Sequence, residues 1–180
     1  MRAFGVDLLS MAHFRRARWG VRRTFQTEQA IEELSVFDNV AMVHEHSRLG
    51  AATRRKDVLD AIEFTGLADV APDAKVRTLT AGQRRLVEVA RAVVGRPRLV
   101  LLDEPAAGLP DEETGHLAEV IRRIPEHTGA LVILVDHDMS LVSACCATTA
   151  VLDFGKLIAS GPTAAVLRDD AVIRAYLGVA

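Results

Sequence analysis

Two apolar runs in this chain each end in charged residues. Residues 99–102 lead into Asp103-Glu104-Pro105, and residues 131–135 lead into Asp136-His137-Asp138. In open parallel sheets, ligands bind beyond the carboxyl ends of the strands, so two such ends close together define a site. Asp103, closing an apolar strand, suits coordination of Mg2+ through its carboxylate oxygen, with water filling most of the shell. Glu104, one residue on, points elsewhere and could orient or deprotonate an attacking water. His137 is a candidate donor to a developing phosphoryl charge. An isolated Asp-Glu after a strand reads equally well as a solvated loop, so these residues need support from another segment.

Leu79-Thr80-Ala81-Gly82-Gln83 supplies it, standing at the start of a predicted helix. Free backbone N–H groups at a helix N-terminus attract anions, and Thr80 adds a hydroxyl donor. Gly82 lets the backbone come close to a phosphate. An Asp in its place is therefore expected to repel the ligand while barely changing the fold. Other reactive residue types carry less. His44 and His46 sit at i, i+2 on a predicted helix and point to different faces, which predicts a polar helix surface and no shared metal. Cys145 and Cys146 are adjacent, lack a C-x-x-C spacing, and read as small buried residues in a reducing compartment.

The elements that must position these groups follow from periodicity. Ser35 caps a helix of about three turns carrying Val36, Phe37, Val40 and Val43. A helix over 53–65 buries Val58, Leu59 and Ile62 and stops at Gly66. From Gly82, apolar residues at helical spacing run to Val94, where Gly95 and Pro97 end the helix. Residues 99–102 and 130–135 read as strands buried on both faces, joined by a helix over 112–124 that Pro125 ends, a βαβ unit. Helices over 140–147, 163–167 and 171–177 flank a hairpin of 149–153 with 156–159, turning at Phe154-Gly155.

Composition narrows the function classes. Apolar residues make up 49% of the 180 and charged residues 26%, an ordinary globular balance. Lys and Arg number 22 against 24 Asp and Glu, a net charge of -2, so nothing global points to nucleic acid. The arginines at 15, 16, 18, 22 and 23 read as a solvated approach to the loop at Gln26 or as a contact surface for a membrane partner. No run approaches the ~20 apolar residues of a membrane span. Asp7 and scattered arginines replace the apolar core of an export signal.

With the helix-start segment, the Asp103-Glu104 strand and His137 in this order, the chain resembles the ATP-binding cassette (ABC) ATPases, in particular the branched-chain amino-acid importer subfamily. Arg23-Thr24-Phe25-Gln26 looks like that family's Q-loop, 79–83 like its signature, Asp103-Glu104-Pro105-Ala106-Ala107-Gly108-Leu109 like its Walker B and D-loop, and His137 like its switch histidine. Val151 to Lys156 and Ala175 to Gly178 look like the subfamily's closing hairpin and terminal helix. Ala81 replaces a usual Gly, and Pro110 follows Leu109 where Asn is common.

The resemblance implies an α/β, P-loop NTPase-like parallel sheet with a helical subdomain. It divides the chain at about 27–78 (Q-loop and helical subdomain), 79–147 (signature, Walker B, D-loop and switch histidine) and 148–180 (C-terminal hairpin and helices). It implies ATP and Mg2+ as cofactors, with Gln26 and Asp103 at the metal, Glu104 and His137 catalytic, and Thr80, Ala81, Gly82 and Gln83 on a nucleotide. Implied partners are transmembrane permease subunits and a second ATPase subunit. The expected location is cytoplasmic and peripheral on the membrane.

The family's phosphate loop, G-x-x-x-x-G-K-[ST], grips the β- and γ-phosphates with backbone N–H groups and a Lys. None of the 12 glycines opens such a segment. The P-loop strand and helix are thus expected to be missing, leaving an incomplete cassette that is inactive alone. Such a chain would be a truncated ATPase subunit, a non-catalytic partner that lends its signature to another cassette, or an inactive fragment.

Overall fold

The computed structural model describes residues 2–47 and 49–177. It separates into two units, one through Val135 and one from Asp136.

The first unit is built on a parallel sheet. Strands β1 (Arg2–Ala3) and β2 (Val6–Asp7) form a small antiparallel hairpin ahead of it, followed by helix α1 (His13–Trp19). Gly20 ends α1 in a left-handed conformation, φ 114°, with its N–H on the carbonyls of Arg16 and Ala17. Strand β3 (Val21–Arg23) follows and pairs in parallel with β4 (Leu99–Asp103), Val21 opposite Leu99 and Arg23 opposite Leu101. The arginine-rich opening is therefore not all solvated. Alternation along β3 turns Arg22 inward to 7% exposure, where its Nη1 donates to the carbonyl of Ala17 at 2.6 Å. Nothing in the apolar periodicity marked α1 or β3, because their apolar residues are too few to set a period.

Strand β5 (Leu131–Val135) pairs in parallel with β4, Leu99 opposite Leu131 and Asp103 opposite Val135. The order β3-β4-β5 leaves β5 on an edge among the described residues. The expectation of burial on both faces holds for β4 and fails for β5, where Leu131, Ile133 and Val135 are 50%, 39% and 59% exposed. A continuous apolar run reports what a strand is able to bury, and an edge position leaves one side uncovered.

Helix α2 (Val36–His44) is capped by Ser35, whose hydroxyl accepts the Asp38 N–H at 3.0 Å. Asn39, fully buried, bonds both backbone groups of Ile31 and so anchors the segment ahead of α2. Helix α3 (Arg54–Phe64) packs on α2, and His44 is the pin between them. It is 2% exposed with Nε2 2.9 Å from Asp57, so the polar-surface reading is correct for exposed His46 and wrong for His44. The imidazole turns inward because a carboxylate of α3 is waiting for it. Burial pushes the Asp57 carboxyl upward, but hydrogen bonds from Thr53 and His44 outweigh it and hold it below the usual range. A carboxyl depressed in the fold contributes stability above its unfolded value, about 3.9, and that contribution is lost as pH falls through the folded value. Asp57→Asn should therefore cost about 1–3 kcal/mol at pH 7 and show a shallower loss of stability below pH 4, read from urea midpoints across pH. Parallel acid limbs for the two proteins would remove Asp57 from this role.

Helix α4 (Ala81–Val93) lies against α2 and α3 and buries Leu86, Val87, Val89, Ala90 and Val93. Helix α5 (Asp111–Thr128) provides the crossover from β4 to β5. It runs through Pro125 and stops at Gly129, φ 75°, whose N–H bonds the Pro125 carbonyl at 2.8 Å. Proline removes the bond to the residue four before it. The final turn survives because Ile124 is fully buried and His127 stacks on Phe64 with ring centroids 4.0 Å apart.

The second unit holds α6 (Met139–Cys145), the antiparallel hairpin β6 (Thr148–Asp153) and β7 (Lys156–Pro162), then α7 (Thr163–Val166) and α8 (Asp170–Leu177). Val151, Val166 and Val172 form its core. The hairpin turns at Phe154 and Gly155, both at positive φ, the geometry of the tight primed turns. Both cysteines are free and half-buried. Burial pushes the Cys145 thiol up to about 12, and it donates to the Leu141 carbonyl.

Candidate functional site

The ends of β3 and β4 are stitched together residue by residue. The Thr24 N–H bonds the Leu101 carbonyl at 2.9 Å, and the Asp103 N–H bonds the Thr24 hydroxyl at 3.2 Å. This carries the chain beyond β3 across the carboxyl end of β4. There the Gln26 Nε2 donates to Glu104 Oε2 at 2.6 Å, and the Arg23 Nη2 meets Asp103 Oδ2 at 2.9 Å. Glu104 sits at φ 44°, a left-handed conformation that costs a non-glycine residue about 1 kcal/mol or more. Its own N–H bonds the Val135 carbonyl at 2.8 Å. Three residues singled out in the sequence, Gln26, Asp103 and Glu104, thus stand together at one sheet end.

The segment after Gln26 is tied in turn to α4. Glu28 pairs with Arg84 at 3.1 Å, and the Gln29 N–H donates to Glu88, whose second oxygen pairs with Arg85 at 2.9 Å. Arg23, Arg85 and Glu88 were missed as members of this arrangement. The signal for Arg23 is its place in the motif with Gln26, at the end of a strand too short to be recognised. Arg85 and Glu88 sit three apart inside an apolar stripe, a pattern that places an ion pair in the core.

The start of α4 differs from its expected form. Thr80 and Gln83 make a capping box: the Thr80 hydroxyl accepts the Gln83 N–H at 3.2 Å, and the Gln83 side chain accepts the Thr80 N–H at 3.0 Å. The Thr80 hydroxyl and the N–H groups of Thr80 and Gln83 are thus engaged by the helix itself. Ala81 is exposed, so its methyl leaves this helix start open. Thr80, Gly82 and Gln83 line a cavity of about 380 Å3 together with Leu109, Glu112, Glu113 and His116. A Cβ at Gly82 would lie 2.5–2.7 Å from the Glu113 carboxylate atoms. The close approach that this glycine permits is made by α5 of the same chain, where a carboxylate meets the positive end of α4. Replacing Gly82 with Asp would set two carboxylates against each other, and the half-buried Glu113 side chain would have to swing away from the helix start.

His137 opens the second unit. Its ring is 72% exposed, with Nδ1 3.8 Å from Asp136 Oδ1. Asp138 caps α6 through the N–H groups of Ser140 and Leu141, and the Ser140 side-chain bond leads the causes that hold its carboxyl below the usual range.

Residues 5–107 match the family described as ABC transporter, and residues 156–180 match the family described as branched-chain amino acid ATP-binding cassette transporter. The chain belongs to the ABC transporter family. It is 35% identical over 180 residues to the high-affinity branched-chain amino acid transport ATP-binding protein LivG of Salmonella typhimurium, covering 91% of this chain and 70% of LivG. It is 36% identical over 165 residues to the methionine import ATP-binding protein MetN 3 of Pseudomonas fluorescens, of which it spans only 50%. The fold agrees: a nucleotide-free ATP-binding cassette superposes with a TM-score of 0.76 at 23% identity, covering 97% of this chain and 75% of that one.

Membership in this family makes Mg2+ with ATP the group to test against the site. Asp103 offers a single carboxylate at a sheet end, 34% exposed, and the described residues contain no cluster of three or more His, Cys, Asp or Glu able to hold a metal. That donor set fits Mg2+, which keeps most of its waters and takes one or two carboxylates with the nucleotide's phosphates. Among the described residues no helix is long and apolar enough to cross a membrane.

Proposed function

We propose that this chain is an ATP-binding cassette component of an importer for branched-chain or related amino acids, working at the cytoplasmic face of a membrane with permease subunits and a second ATPase subunit. The observation that carries the reading is the 2.6 Å bond from Gln26 to Glu104 at the same sheet end as Asp103. The match of residues 156–180 and the likeness to LivG support the transported class. When bound, ATP would supply the phosphoryl group and Mg2+ would neutralise charge on its phosphate oxygens. Glu104 then takes a proton from water at its carboxylate, and Gln26 fixes that carboxylate in place. Asp103 would hold the metal with its carboxylate released from Arg23, and His137 would donate to developing charge. Thr80, Ala81, Gly82 and Gln83 are read as the signature, which would face a nucleotide with the Glu113 carboxylate moved off Gly82.

A second reading has a specific observation behind it. Residues 79–83 stand at a helix start beside an open cavity, and on this reading they face the nucleotide held by another cassette. Calorimetry of the 180-residue chain with Mg-ATP tests both at once. Heat of binding should be absent or correspond to weak millimolar affinity. Micromolar affinity, worth about 8 kcal/mol, would mean that the phosphates are gripped without a phosphate loop and would sink the partner-completing reading.

A further inference from the structure

A second group of polar side chains surrounds a small cavity of the first unit. It lies between β3 and α4, has a volume of about 160 Å3, and draws its wall in part from Arg22, Arg23, Thr24, Gln29, Glu88 and Arg91. Three guanidinium groups face one carboxylate, and their existing bonds decide how much charge is left over. Both Glu88 oxygens are occupied, one by Arg85 from outside the wall and one by the Gln29 N–H. Arg23 is spent on Asp103. Arg22 and Arg91 remain.

Arg22 is 7% exposed, and its Nε is buried without an acceptor. A buried donor left unpaired bears the whole cost of its lost hydration, and a charged one bears more. Arg91 is half-buried and makes no hydrogen bond or ion pair among the described residues. Burial holds its guanidinium below the ordinary value even with Glu88 nearby. Arginine has donors only and stays charged, so two desolvated positive charges share one cavity: Arg22 spends its Nη1 on the carbonyls of Ala17 and Val21, which carry no countercharge, and Arg91 finds no acceptor among the described residues. The Thr24 hydroxyl accepts the Asp103 N–H, which leaves its own O–H free to donate.

We propose that this cavity is a binding site for a compact tetrahedral oxyanion of the phosphate class, held by Arg22 and Arg91 with Thr24 beside them. A charge near -2 matches the two uncompensated guanidinium groups, and their forked donors suit phosphate oxygens. The space is too small for a nucleotide, since pockets for molecules of that size run to about 300–1,000 Å3. The proposal is separate from the cassette function and its test uses no nucleotide.

The 180-residue chain is titrated with inorganic phosphate, followed by calorimetry and 31P NMR, with ionic strength held constant by NaCl. One saturable site per chain is expected. Arg91→Gln should weaken it at least tenfold and Arg91→Lys less, while Arg122→Gln on the exposed face of α5 leaves it unchanged. Arg22 is too deeply buried for its replacement to separate site from fold. If Arg91→Gln does not fold by circular dichroism, the amide resonances of Thr24 and Gln29 in the unaltered chain carry the test, and they should move on adding phosphate. Absence of saturation, unmoved Thr24 and Gln29 resonances, unchanged affinity in a folded Arg91→Gln, or equal competition by acetate would each overturn the proposal.

Discussion

Glu104→Gln should abolish most ATP turnover at the sheet end of this chain itself, measured in an assembly where a phosphate loop is supplied to that same site. Loss of general-base help is worth a factor of about 10²–10⁴. The substitution is narrow by design. Glutamine keeps an oxygen to accept from Gln26 Nε2, now 2.6 Å from Glu104 Oε2, and it takes the same left-handed backbone at φ 44° with no new strain. Nucleotide binding and the thermal midpoint should therefore stay near their original values while hydrolysis falls. Turnover of ATP at an unchanged rate, measured by phosphate release, would remove Glu104 from the chemistry and leave its bond to Gln26 as a structural tie. The opposite failure is also informative: loss of nucleotide binding together with turnover would assign Glu104 to binding, since only an interaction made in the transition state lowers turnover alone.

The legible parts of this molecule are those where periodicity and local chemistry agree. Ser35 and Thr80 marked helix starts, and each caps its helix through a side-chain oxygen, whereas the helix expected from 140 begins one residue earlier and is capped by Asp138. The strand ending at Asp103 and the helix-borne Thr80 and Gln83 were found because apolar runs break off abruptly at polar residues. What escaped was pairwise. His44 lies on a helix whose pattern gives it no inward mark, and only the arrival of Asp57 from α3 makes its burial tolerable. Arg23 and Asp103 are brought together by strand register, with Arg23 opposite Leu101. Glu113 reaches Gly82 because α5 returns alongside α4. The burial of β5 was overread because residue type does not say which strand lies at an edge.

Glu88→Ala should be the most destabilising single substitution in α4, costing about 3–5 kcal/mol, the range for removing one partner of a buried ion pair. Arg85 and Glu88 are 6% and 3% exposed, and the Arg85 Nε already lacks an acceptor, so truncating Glu88 strands a whole guanidinium in the core. Against a total stability of about 5–15 kcal/mol that is a large fraction. The loss has a second component, because Glu88 also accepts the Gln29 N–H and so fastens the segment following Gln26. The two are separable. Replacing both charges, Arg85→Met with Glu88→Leu, removes the stranded charge and should recover most of the stability, yet it leaves Gln29 without its acceptor. In urea unfolding the double variant should lie close to the original chain, while its Gln29 amide exchanges with solvent faster, as in Glu88→Ala. If Glu88→Ala costs under 1 kcal/mol, the pair is no anchor. If the double variant protects Gln29 as well as the original, Glu88 does not hold the Gln26 segment, and the tie between α4 and Glu104 must run through Arg84 and Glu28 alone.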